Sequence, residues 1–141
     1  MITFAYENIL NLQVDAIVNT SHTSLFAGSG LCGIIHRYAG RELETYCRTL
    51  GTQNYGDVVI TPSFKLLNCK RVIHACGPRW IDGNQNEEAT LEILYTRIIE
   101  LVAQEEITSI AIRESDSNST DDLLRSGWAN PNGFNLCEQW I

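Results

Sequence analysis

No apolar run in this sequence approaches the roughly 18 residues a helix needs to cross a bilayer, so no membrane span is expected. The first residues, Met1-Ile2-Thr3-Phe4-Ala5-Tyr6, lack a basic stretch followed by a long apolar one. They do not read as a signal peptide, and a cytoplasmic location is the default expectation. Paired cysteines are also missing. Cys32, Cys47, Cys69, Cys76 and Cys137 are odd in number, form no Cys-x-x-Cys pair, and several sit inside apolar runs. This spacing suits neither a disulfide framework nor a zinc site, so no metal ligand is assigned and the thiols read as reduced core fillers. Basic side chains are few: 10 Lys and Arg against 17 Asp and Glu give a formal charge of −7. That balance speaks against a nucleic-acid partner, because phosphate backbones want a basic face. A small phosphorylated ligand stays open, since backbone N–H groups hold phosphate without lysine or arginine. Internal repeats and low-complexity stretches are absent.

What is present is the make-up of one packed domain. The chain has 141 residues, 44% of them hydrophobic and 19% charged, enough for a single core and too few for two. Strands are expected at Ile2–Tyr6, Asp15–Asn19, Val58–Ile60, Arg71–Cys76 and Ile107–Ile112, the second being nearly continuous in apolar residues, as in a strand buried on both faces. Gly77-Pro78 ends the fourth. Ile34, Ile35 and Tyr38 suggest one helix; Leu43, Tyr46, Cys47 and Leu50 suggest another, with Gly40 between them and Gly51 as a stop. The clearest helix spans residues 87–104, where Leu91, Leu94, Tyr95, Ile98, Ile99, Leu101 and Val102 share one broad face. Strands interleaved with helices predict an α/β layered domain. After Ile112 the pattern dissolves into polar sequence, with a helix cap at Thr120-Asp121-Asp122 ahead of a short helix through Arg125, and a turn at Pro131-Asn132-Gly133.

The informative unit runs from strand through glycine-rich loop to helix, Val14 to Arg37. Successive N–H groups of such a loop, followed by the positive end of a helix, form an anion site. Glycine lets the backbone approach a phosphate with no Cβ in the way. Alone, the pattern is weak evidence, since such turns are often purely structural.

The residues themselves say more. Val14-Asp15-Ala16-Ile17-Val18-Asn19, followed by Gly28-Ser29-Gly30-Leu31-Cys32-Gly33-Ile34-Ile35-His36-Arg37-Tyr38-Ala39-Gly40, resembles the macrodomain signature. Val72-Ile73-His74-Ala75-Cys76-Gly77-Pro78-Arg79-Trp80 and the stretch from Gln85 to Ile112 are similar to later parts of the same family, in particular its bacterial O-acetyl-ADP-ribose deacetylase-like branch. The resemblance implies a three-layer α-β-α sandwich around a mixed sheet, shortened at its C-terminal end. Residues 1–112 would form the core, and residues 113–141 a divergent tail that completes or caps the same domain. It implies ADP-ribose or a related nucleotide diphosphate, free or on a modified protein, as the partner, with no resident cofactor, metal, membrane or nucleic acid.

By the same resemblance, Asn8 stands where relatives carry an Asp that receives the adenine amino group, with Ile9 beside it; as a plain residue, Asn8 is equally a turn former. Asn19 matches the first Asn of the family's Asn-Ala-Ala-Asn element, and His22 replaces the second. Gly28, Ser29, Gly30, Leu31, Cys32 and Gly33 match the phosphate loop, with Cys32 in place of the hydrolytic branch's Asp. Both replacements remove groups that position water near the ribose, and imply lost or altered catalysis. Cys32 at a helix N-terminus, near His22 and four residues from His36, could instead make a thiolate nucleophile; as a plain residue it is a small filler. After the fifth strand, Arg113-Glu114-Ser115-Asp116-Ser117-Asn118 replaces a Ser-Thr-Gly loop that grips phosphate in relatives. The expected function is therefore a weakened ADP-ribose-binding domain. The alternatives are an ADP-ribose-ester hydrolase using His22 or Cys32, and a degenerate domain kept for protein contacts. Phe134, Leu136, Trp140 and Ile141, or a second copy of the chain, are expected to cover the edge left by the shortened end.

Overall fold

Alternation along the strands decides the layers. The structure, a computed structural model, describes residues 2–5, 7–78, 82, 84–113 and 137–140. Its central strand, β2 (Ala16–Thr20), runs parallel to β4 (Arg71–Ala75) on one side and β5 (Ile110–Arg113) on the other. β3 (Val58–Pro62) lies antiparallel outside β4; β6 (Cys137–Trp140) lies antiparallel between β5 and β1 (Ile2–Ala5), giving the order β1-β6-β5-β2-β4-β3. The sheet is mixed.

On one face, Ile17, Val72, Cys76 and Ala111 pack against Leu31, Ile35 and Ala39 of α1 (Gly30–Ala39) and Leu43 and Cys47 of α2 (Arg41–Leu50). On the other, Val18, Ile73, Ala75, Ile110 and Ile112 receive Leu94 and Ile98 of α3 (Glu87–Gln104). Helices therefore cover both faces of the sheet, the three layers the sequence predicts. Strand residues of period 2 send odd positions of β2 to the α1/α2 side and even ones to the α3 side. Burying each large aliphatic side chain contributes about 1.5–3 kcal/mol.

All three helix faces differ in part from expectation. The inward stripe of α1 is Leu31, Ile35 and Ala39, whereas Ile34 and Tyr38 are exposed. Tyr46, Leu50 and Ile99 also face outward. Gly40 does separate α1 from α2; its φ of 89° is a conformation that favours glycine, and its N–H bonds back to the His36 carbonyl. The last parallel strand starts later than the apolar run suggests. Residues 107–109 form the lead-in instead, where Asp15 Oδ2 accepts from both the N–H and the hydroxyl of Thr108 and the Ser109 hydroxyl oxygen accepts from Asp15 N–H. Those Thr108 bonds are the main reason the Asp15 carboxyl titrates below its ordinary value.

The expected helix from Thr120 to Arg125, the turn at Pro131-Asn132-Gly133, the acids Glu114 and Asp116, and the Arg79-Trp80 end of the motif that starts at Val72 lie outside the described residues. So do Phe134, Leu136 and Ile141; for Trp140 the backbone alone is described.

Candidate functional site

The carboxyl ends of β2, β4 and β5 point the same way, and from the end of β2 the chain crosses to the start of α1. In open α/β sheets this is where ligand crevices form. The crossing, residues 21–29, is held at several points. Ser21 N–H donates to the Ala75 carbonyl, Leu25 N–H to the His22 carbonyl, and Gln53 N–H to the Thr23 carbonyl. Leu25 is fully buried although its φ is 59°. A non-glycine residue pays strain for that conformation, and here the buried side chain offsets it.

Beyond Leu25 the loop opens. Phe26 and Gly28, Ser29 and Gly30 are exposed. Among the described residues, the backbone N–H groups of Gly28, Ser29, Gly30, Leu31 and Cys32 meet no acceptor, the first bond of α1 being Gly33 N–H to Ser29 carbonyl at 3.4 Å. Free amides at a helix start are its positive pole. Each glycine has its own reason. Gly30 takes a φ of 60°, a left-handed conformation that suits glycine. A Cβ on Gly33 would overlap the Gly28 carbonyl oxygen and come 3.3 Å from its carbon, so Gly33 lets the loop fold over the helix. A Cβ on Gly28 would meet nothing within 4 Å.

Behind the loop lies a chain of buried polar groups. Asn19, with no exposed surface, donates from Nδ2 to Nδ1 of His74 at 3.1 Å and to Sγ of Cys32 at 3.6 Å, while its Oδ1 has no partner among the described residues. Asn19 and His74 are register partners on β2 and β4. With Asn19 donating, His74 Nδ1 is the acceptor, so Nε2 carries the proton and donates to Thr61 Oγ1 at 3.0 Å; that hydroxyl in turn donates to the Pro62 carbonyl. Burial, with His36 nearby as the smaller cause, pushes His74 down to about 3. It is a neutral hydrogen-bonding element.

Cys32 and His22 are not a pair. The Cys32 thiol donates to the Phe26 carbonyl at 3.6 Å and accepts from Asn19. The exposed His22 turns onto its own loop, its Nδ1 lying 3.1 Å from Ser24 Oγ and accepting from Ser24 N–H. Neither does His36 bond to Cys32; both ring nitrogens of His36 are buried without a partner among the described residues, and burial lowers its pKa, with Glu44 opposing. The thiol–imidazole contact needed for an activated nucleophile is therefore not made in this arrangement.

Asn8 caps the 3-10 turn Ile9–Asn11, its Oδ1 accepting from Leu10 N–H at 3.0 Å. The turn-forming role is the one its geometry displays, and a carbonyl oxygen keeps a second lone pair. Ile9 is fully buried in the core, and Asn68 Nδ2 donates to its carbonyl, leaving the N–H as the group it can offer. Leu31 likewise points into the core and can offer only its amide.

The residues whose part here single-sequence reasoning passed over are His74, Thr61 and Cys47. They come from three different elements, so no spacing announces them; a histidine inside the apolar run of β4 was the available signal. Among the described residues, no helix is long and apolar enough to cross a membrane.

Comparison with known proteins supplies the family. The model of the Macro domain family matches residues 18–114. A macro domain-containing protein of Mesorhizobium japonicum is 43% identical over 104 residues, covering 74% of this chain and 58% of the relative. A protein of Salmonella newport named O-acetyl-ADP-ribose deacetylase is 41% identical over 108 residues, covering 74% and 60%. The Trypanosoma brucei macrodomain in complex with ADP-ribose is a structural neighbour with a TM-score of 0.65 and 31% identity, covering 72% of this chain and 41% of that one. The chain thus spans about 60% of the length of the curated relatives it matches.

Proposed function

Because this chain belongs to the Macro domain family, we propose that it binds ADP-ribose or a closely related nucleotide diphosphate, free or attached to a protein, and turns it over poorly. The observation that carries the reading is the run of amides from Gly28 to Cys32, unpartnered among the described residues, at the start of α1, beside the carboxyl ends of β2, β4 and β5. A diphosphate is the anion such a fan of donors suits, and it needs no lysine or arginine from an acidic chain. In this reading Asn8 and the Ile9 amide meet the adenine, residues 28–33 the phosphates, and Asn19, His22 and Cys32 the distal ribose.

The site is weakened for stated reasons. Asn8 is neutral and already caps a turn, so an adenine contact lacks charge assistance, worth about 1 kcal/mol. In the sequence, Arg113 to Asn118 lacks the Ser-Thr-Gly run whose amides grip phosphate in relatives; losing two or three such contacts at about 1.5–3 kcal/mol each costs orders of magnitude in affinity. Catalysis is poor because Cys32 gives its proton to a carbonyl and His22 is bound to its own loop, so neither is arranged to activate water.

Calorimetry with ADP-ribose tests this. Heat of binding at micromolar to sub-millimolar ligand supports it. Silence at millimolar ligand, where about 4 kcal/mol of binding would register, overturns it and leaves a domain that serves protein contacts. Release of ADP-ribose from a mono-ADP-ribosylated protein, or of acetate from its acetyl ester, lost in His22→Ala or Cys32→Ala, would overturn the claim of poor catalysis.

A further inference from the structure

Three buried donors that the ligand site does not use meet between α1, α2 and β4. His36 lies in the last turn of α1, Cys47 on the inward face of α2, and His74 in β4 facing both helices. Their ligand atoms all lie within 4.8 Å of one another. His36 is 5% exposed, and Cys47 and His74 not at all. Among the described residues, both His36 ring nitrogens, one of which must carry hydrogen and the other a lone pair, are without a hydrogen-bond partner. A buried imidazole with two unmet groups is costly, and a native core tolerates it where something else takes the lone pair.

The donor set says which ion fits. Two imidazoles and one thiol are soft to borderline ligands, which favours copper(I) or zinc over magnesium or calcium. Charge then separates the two. One thiolate neutralises a monovalent ion, whereas zinc would leave a net positive charge in the core. Zinc also prefers four ligands, and among the described residues the cluster supplies three. The acid that faces the group is Glu44 on α2, already 2.9 Å from Arg48 Nη2. We propose that His36, Cys47 and His74 form a three-coordinate site for copper(I).

Binding balances without a redox step. The copper arrives as copper(I), Cys47 Sγ releases its proton to solvent, and a Cu–S bond forms while His36 gives a lone pair from one ring nitrogen. The lone pair of His74 is at Nδ1, now accepting from Asn19 Nδ2; it exchanges that donor for the ion, and the Nε2–H bond to Thr61 stays. The side chains close in by about an ångström, since metal–ligand bonds of roughly 2 Å bring donors nearer than 4.8 Å. This inference does not rest on the ADP-ribose reading.

The experiment adds copper(I), kept reduced and anaerobic, to the full chain in competition with a colorimetric copper(I) chelator, with silver(I) as a redox-inert probe and zinc(II) as control. The expected result is one equivalent per chain and an X-ray absorption shell of one sulfur and two nitrogens. Cys47→Ala and His36→Gln should each weaken copper(I) binding by more than about 100-fold, beyond the 10–100-fold of an outer-shell change. A shell of two or more sulfurs in the unmodified chain, a shell with no sulfur, or no uptake at all overturns the proposal without recourse to any variant. Zinc(II) binding tighter than copper(I) would also overturn it.

Discussion

Alanine at Gly28 and alanine at Gly33 separate two different reasons for glycine in one loop. At Gly33 the reason is internal: a Cβ there overlaps the Gly28 carbonyl oxygen, a backbone atom that cannot swing aside as a side chain could. Overpacking of this kind costs up to about 3 kcal/mol, while replacing a helical glycine by alanine returns about 1 kcal/mol. The net loss is about 2 kcal/mol. For 141 residues, unfolding entropy near 2.1 cal/mol/K per residue makes that a fall in Tm of about 7 °C. At Gly28 the reason is external: a Cβ meets nothing within 4 Å and the residue has no positive φ. Gly28→Ala should leave Tm within about 2 °C, as surface changes within 0.5 kcal/mol do. Yet it places a methyl group beside the amides assigned to the diphosphate, and losing one charge-assisted contact lowers affinity about ten- to hundredfold.

Differential scanning calorimetry and ADP-ribose titration on both variants read out the two numbers. A Gly28→Ala protein that melts normally and binds ADP-ribose as tightly as the unsubstituted chain would refute the assignment of these amides to the ligand. An unchanged Tm for Gly33→Ala would refute the packing argument.

Other consequences can be measured independently. His74 titrates near 3 in the fold against 6.5 in the unfolded chain. Because the folded value is depressed, its neutral form stabilises the fold fully above pH 6.5, and that stability is lost as pH falls from 6.5 toward 3. At about 1.4 kcal/mol per unit, roughly 2 kcal/mol should be gone by pH 5; His36 acts with the same sign, and Asp15, whose folded pKa is also lowered, adds its loss only below 3.8. Urea midpoints that do not fall between pH 7 and pH 5 would contradict this. Burial pushes the thiols of Cys47, Cys69 and Cys76 up to about 11, so all three should resist iodoacetamide at neutral pH until urea unfolds the chain. Mass spectrometry showing any of them alkylated at the rate of a free thiol in the native protein would show that burial is overstated.

Fold and site were legible in the sequence to different depths. β2, β4 and α3 could be read because continuous apolar runs and a 3.6-residue stripe are local signals that tertiary context reinforces. The loop at Gly28–Gly33 was legible because Gly30 and Gly33 are needed by the backbone itself, whichever ligand follows. The inward face of α1 was misjudged at Ile34 and Tyr38, since exposed apolar residues on a short helix are common and periodicity alone does not choose between adjacent stripes. Asn19 was identified by position, but its partners were not: His74 lies 55 residues away and meets it only through sheet register. The same holds for the His36, Cys47 and His74 cluster. Ligand sets split over three elements have no sequence spacing to detect, so a rule that looks for Cys-x-x-Cys reports nothing there.

The sheet order raises one more question, whether the end of the chain supports the candidate site. β1 has β6 as its sheet neighbour, and Asn8 follows β1 by three residues. If β1 fixed Asn8 and Ile9, then disturbing β6 would disturb the end of the proposed site assigned to adenine. The hydrogen bonds argue otherwise. Asn68, 7% exposed, donates from Nδ2 to the carbonyls of both Ile9 and Leu12, and its own carbonyl accepts from Val14 N–H. Ile9 itself is fully buried. Residues 8–14 are therefore tied to the β3–β4 connection rather than to β1. Gln139→Pro, which removes a ladder donor between Thr3 and Ala111, should raise amide exchange at residues 2–5 while residues 9–12 stay protected and ADP-ribose affinity holds. Asn68→Ala should do the reverse, leaving the Leu12 carbonyl without a donor among the described residues at about 1–3 kcal/mol, and the Ile9 carbonyl with only the Leu12 N–H, and loosening residues 9–12 first. Exchange that rises at residues 9–12 in the proline variant would mean the sheet edge, and not Asn68, holds that end of the site.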